Sequence, residues 1–173
     1  MKPYVYILVV GWMILNPAWS MGNKSPKGVS VLLLPAQPNL VQVGRDLGSM
    51  GKALMMSYST QADAAAPFLH IWDGEHWLPV DGERFRTGSF LRSLADQVVV
   101  VGPENDRTAF LIETSLGWCP EVLHMSTVEV TPLINQLGKV YSFRRGDWEW
   151  MAARYQLELT DVTAGTPRES WYK

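Results

Sequence analysis

Gln97-Val98-Val99-Val100-Val101-Gly102-Pro103 decides the fold class. Four consecutive valines show no alternation, so both faces of the segment must be buried. That is the pattern of a strand inside a parallel sheet covered by helices on either side. Gly102 and Pro103 stop the run. Working outward, Val29 to Leu34, closed by Pro35, and Ala53 to Tyr58 are two further apolar runs that read as strands, and Glu121 to Met125 is a fourth strand candidate. Between the first two, Leu40, Val43 and Leu47 recur at i, i+3 and i+7, one helical stripe. Asn39 is placed to cap that helix, and Gly48 and Gly51 bracket its end.

The same alternation continues downstream. Asn105 or Asp106 can cap a helix running to Leu116. Thr131-Pro132 supplies an N-cap followed by proline at the first helical position, opening a helix through Leu133, Ile134, Leu137 and Tyr141. Gly146-Asp147 opens a last helix with a core stripe of Trp148, Met151, Ala152, Tyr155 and Leu159. Strands alternating with helices predict an α/β domain with an open, mostly parallel sheet of about four strands and helices on both faces, Rossmann-like or flavodoxin-like. Val98 to Pro103 resembles the strand-and-turn of Rossmann-like bacterial cell-wall-binding repeats, a likeness over about thirty residues that assigns no residue a role.

Phe68 to Val80 reads as an inserted β-hairpin. Asp73-Gly74 is a strong two-residue turn signal, with Gly74-Glu75 the alternative. Either choice puts Leu69, Ile71, Leu78 and Val80 on one face and His70, Trp72 and Trp77 on the other. Asp81 to Leu94 reads as loop and short helix.

The N-terminus bears on the compartment. Lys2 is followed by an apolar run from Tyr4 to Leu15, broken by Asn16-Pro17, with Ala18-Trp19-Ser20 completing a cleavage site. This layout predicts a signal peptide over 1–20 and export to a periplasmic or extracellular location. Retention as an N-terminal anchor is the alternative, although the run falls short of the roughly 20 apolar residues of a comfortable span. The remaining organisation is a flexible leader over 21–28, one α/β domain over 29–162 and a polar tail over 163–173. No membrane span is expected after cleavage. Edman sequencing of protein recovered outside the cytoplasm should begin at or near Met21.

The whole chain has a net charge of −2, and loss of Lys2 makes it one unit more negative. So mild a balance supports neither nucleic acid nor anionic lipid as partner. Cys119 is the only cysteine, so the chain relies on its core and has no internal disulfide. Neither Leu34 to Asn39 nor Gly102 to Asn105 matches a phosphate loop. Proline removes donors there and Glu104 repels phosphate, which argues against a nucleotide cofactor. His70 and His76 straddle the hairpin turn with Asp73 and Glu75 nearby, but they face opposite ways in the strand pattern and do not converge, so no metal site is expected. Cys119 and His124 lie at opposite ends of one strand, roughly 15 Å apart, too far for a thiol–imidazole pair. No G-x-S-x-G elbow is present.

Two functional expectations follow. In open α/β sheets ligands bind beyond the carboxyl ends of the strands. There the sequence supplies Asn39, Glu104, His124 and Ser126 as first suspects for a small exported hydrolase with dispersed residues. Alternatively, Trp72, Trp77 and His70 on the outer hairpin face form a platform for a protein or glycan of the cell envelope, with no catalysis. A helix covering the two tryptophans would remove that platform. The absence of any catalytic signature favours the binding module.

Overall fold

The computed structural model describes residues 28–59 and 67–158. The signal peptide, nearly all of the leader, the segment 60–66, Leu159 and the tail expected from the sequence lie outside the described residues.

Six strands form one mixed sheet: β1 (Ser30–Pro35), β2 (Leu54–Ser59), β3 (Phe68–Trp72), β4 (Trp77–Val80), β5 (Gln97–Val101) and β6 (Glu121–Met125), in the order β4-β3-β2-β1-β5-β6. β2, β1, β5 and β6 run parallel to one another, as the apolar runs require. The strand count departs from the expected four. The hairpin is not a separate insertion: β3 pairs antiparallel with β2 and carries β4 outward as the edge of the same sheet. The hairpin's own pattern is silent on this point, because pairing with β2 satisfies backbone groups of β2 without altering which hairpin side chains share a face.

Five helices are described: α1 (Pro38–Ser49), α2 (Gly82–Thr87), α3 (Asp106–Leu116), α4 (Val130–Val140) and α5 (Arg145–Tyr155). The step from β1 to β2 runs one way along the sheet and the step from β2 to β5 runs back across β1. Right-handed crossovers in opposite directions place their helices on opposite faces. Accordingly, Leu40, Val43 and Leu47 of α1, Leu133, Ile134 and Leu137 of α4 and Met151 of α5 pack on Leu32, Leu34, Val99 and Val101. Phe85 of α2 and Leu111 of α3 pack on Val31, Leu33, Val98 and Val100 of the other face. All four valines and Val31 to Leu34 are fully buried. Each such side chain contributes roughly 1.5–3 kcal/mol on burial, so these two central strands dominate the core.

Helix ends follow the sequence where a side chain caps them. Asn105 Oδ1 accepts from the Arg107 and Thr108 amides at 3.0 and 3.1 Å, and Asp81 does the same for α2. Elsewhere the starts move. Gln37, not Asn39, flanks α1, because Pro38 takes the first helical position. Glu129 precedes α4, so Thr131 and Pro132 lie inside its first turn. Arg144 flanks α5, and Asp147 sits at its third position, where its carboxylate accepts the Arg144 amide at 2.9 Å. The hairpin turn centres on Gly74-Glu75 instead of Asp73-Gly74. Trp72 pairs with Trp77, and the Asp73 amide donates to the His76 carbonyl. Gly74 takes φ +113° there. Asp73 Oδ1 accepts the Glu75 and His76 amides at 2.8 and 2.7 Å, a bond set available only when Asp73 flanks the turn.

α5 has one fully buried side chain, Met151, so polar contacts carry much of its docking. Lys52 Nζ lies 2.9 Å from Asp147 Oδ2. Burial by itself would raise the Asp147 pKa, but the Lys52 ammonium and the Arg144 amide hold it below the usual carboxylate range. With the folded pKa below the unfolded one, this contribution is present above the unfolded pKa and is lost as pH falls through the folded pKa. Urea midpoints should therefore drop below about pH 4, and Asp147→Asn should flatten that limb. An unchanged acid limb in the variant would assign the loss elsewhere.

Candidate functional site

The carboxyl edge of the sheet is where an open α/β fold places a ligand. Its crevice between β1 and β5, where the connections diverge, is filled by the protein itself. Tyr58 reaches from β2 and its hydroxyl donates to the Val101 carbonyl at 2.7 Å. Burial pushes that phenol up to about 12, so it stays a neutral donor at physiological pH. Gly102 leaves β5 at φ +149°, and a Cβ there would sit 2.1 Å from the Tyr58 hydroxyl oxygen. His124 Nε2 lies 2.8 Å from the Gly102 carbonyl. A carbonyl only accepts, so Nε2 carries the proton. Thr108 Oγ1 donates to the Pro103 carbonyl at 2.7 Å.

The four hydrolase suspects are not brought together. His124 spends Nε2 on backbone, Ser126 and Glu104 are exposed, and Asn39 lies exposed within α1. No hydrogen bond or ion pair joins any two of them among the described residues. Cys119 is buried, and its thiol donates to the Glu121 carbonyl at 3.2 Å. Burial pushes the thiol up, away from the reactive thiolate. Ellman's reagent should modify it orders of magnitude more slowly in native protein than in guanidinium; equal rates would show an accessible thiol.

The hairpin is different. The sheet register puts His70 opposite Ser57, and Trp72 opposite Trp77. Alternation places all four on the face that carries α1. Trp72 and Trp77 have ring centroids 5.2 Å apart at 60°. Arg45, exposed on α1, holds its guanidinium carbon 4.7 Å from the Trp72 centroid. Neither extreme expected from the sequence holds: both tryptophans and His70 are half-buried, edged by α1 but not covered. The exposure gradient explains why. β1 and the β5 valines are enclosed, whereas on the hairpin Phe68, on the α1 face, is 48% exposed and Leu78, on the opposite face, is 45% exposed. β3 and β4 thus extend the sheet past its helices and leave a shelf walled by α1. Ser57, buried at the inner end, lies across from His70, a pair whose Cβ atoms such a register holds about 5 Å apart.

Sequence reading found His70, Trp72 and Trp77 but missed Arg45 and Ser57 as their neighbours. No local signal marks Arg45; only the docking of α1 on the sheet brings it to the hairpin. The shelf and His124 do not form one site either. Four strand spacings of about 4.8 Å put β3 roughly 19 Å from β6. Among the described residues no group of histidine, cysteine and carboxylate side chains could hold a metal ion, and no helix is long and apolar enough to cross a membrane. No family model matches the chain, and neither the curated proteins nor the solved structures contain a match.

Proposed function

We propose that this chain is an exported, non-catalytic binding module of the cell envelope or exterior, and that it binds glycan on the hairpin shelf. The observation that carries this reading is the tilted Trp72–Trp77 pair with the Arg45 guanidinium over Trp72, on a part of the sheet that extends beyond its helices. Indole faces stack against the C–H faces of sugar rings, and neighbouring polar groups meet the ring hydroxyls. A protein partner is less well matched. Stable protein interfaces bury about 800 Å² per side around an apolar centre, and two half-buried indoles set among Arg45, His70 and Ser57 provide little of that.

Strand addition to the hairpin edge is disfavoured as well. The Asp73–His76 pair is hydrogen-bonded, so alternation makes His70–Pro79 a non-bonded pair whose backbone groups point away from one another. Pro79 therefore directs its missing N–H to the open edge, where an added strand would need a donor. The hairpin presents a face, not an edge.

Within this proposal the sheet is of the flavodoxin-like or Rossmann-like kind, with parallel strands ordered β2-β1-β5-β6. The usual cleft at its carboxyl edge is plugged by Tyr58, and the edge hairpin provides the binding surface. The hydrolase reading has no comparable geometry behind it. Titration of purified protein with soluble cell-wall oligosaccharides, followed by tryptophan emission, tests the proposal. Trp77→Ala should weaken binding about tenfold or more, measured at a temperature where circular dichroism shows the variant folded, because Trp77 also packs on the core cluster of that face and its loss lowers stability. Undiminished binding by Trp77→Ala would overturn the shelf as the site.

A further inference from the structure

We propose that the saccharide taken by the shelf is anionic, with its carboxylate received by Arg45 and its ring laid against Trp77; this rests on the glycan-binding reading above. Arg45 is exposed and makes no ion pair or hydrogen bond with any described residue. Its position comes from stacking on Trp72. With the guanidinium carbon held over the indole, the Arg45 N–H donors, which meet no described partner, can bind a carboxylate in bidentate fashion. An arginine fixed this way has surrendered much of its rotamer freedom before the ligand arrives, which reduces the entropic cost of recognition.

No acid among the described residues forms an ion pair with Arg45. Asp46, next in the helix, is buried and accepts from Gln42, Arg154 and Tyr155. Asp73 at the turn is committed to the Glu75 and His76 amides. Glu75 is exposed in the turn and no ion pair joins it to Arg45. His70, half-buried one step along β3 on the same face, adds a group able to hydrogen-bond ring hydroxyls. A neutral sugar would use the indoles and leave the oriented cation idle. An acidic sugar uses both.

The test uses the full chain, an oligogalacturonate and the neutral galactose oligomer of the same length and linkage. The acidic oligomer should bind about tenfold more tightly or better at low salt, and the advantage should shrink as salt screens the exposed pair. Arg45→Gln should abolish the preference while retaining binding of the neutral oligomer. A polyglutamate peptide, carrying carboxylates without sugar rings, should bind much more weakly than the oligogalacturonate. Equal affinity for the two oligomers, or a preference that survives Arg45→Gln, overturns the anionic inference and leaves the glycan shelf standing. Polyglutamate binding as tight as the oligogalacturonate overturns the saccharide component. Binding of neither oligomer overturns the shelf reading itself.

Discussion

Gly102→Ala should lower stability by about 3–5 kcal/mol and the melting temperature by roughly 10–20 °C. Two costs combine. The backbone at φ +149° lies in a region essentially reserved for glycine, worth roughly 1–3 kcal/mol of strain for any side chain. The new methyl would also lie 2.1 Å from the Tyr58 hydroxyl oxygen and 3.0 Å from Thr108 Cγ2, both on well-packed neighbours. Tyr58 must then retract and give up its bond to the Val101 carbonyl, leaving that acceptor unpaired in the core, about 1–3 kcal/mol more. The cycle with Tyr58→Phe separates the terms. Removing the hydroxyl first takes away the steric clash, so the double variant should be more stable than the sum of the singles implies. Strict additivity in urea unfolding would mean that the cost is backbone strain alone.

Asp46→Ala should cost about 2–4 kcal/mol, with the loss concentrated in α5. Asp46 is 6% exposed and its carboxylate accepts from Gln42 Nε2 at 2.9 Å, from the Tyr155 hydroxyl at 2.6 Å and from Arg154 Nε. Deleting it leaves the Tyr155 hydroxyl without its acceptor between α1 and α5. Arg154 is 43% exposed and can turn to water, so its share is the smaller one. Because α5 buries only Met151 completely, loss of this latch should release the helix locally before the sheet unfolds. Amide exchange in α5 should accelerate well beyond that in β1 and β5. Uniform acceleration throughout the domain would show that α5 is an integral part of the global folding unit.

The shelf and the latch share a cause. Both are made by α1, whose Gly44 lets it lie close on the sheet: a Cβ there would fall 2.5 Å from Leu34 Cδ1 and Met55 Sδ. Close seating brings Arg45 over the hairpin and sets Asp46 against α5. One helix therefore couples the proposed binding surface to the attachment of the C-terminal helix.

What the sequence determined by itself was local: the four parallel strands from their mainly apolar segments, the stripes of α1 and α4, the cap at Asn105 or Asp106, and the division of hairpin side chains between two faces. Each depends on periodicity or on a side chain bonding backbone a few residues away, so a short window contains all the physics. Tertiary structure alone decided that the hairpin extends the sheet at β2, that Tyr58 closes the carboxyl edge, that Ser57 faces His70, and that Arg45 stacks on Trp72. Those contacts join residues far apart in the chain. They depend on strand order and helix seating, which minimise exposed apolar area and unpaired backbone over the whole molecule and leave no mark on any one segment.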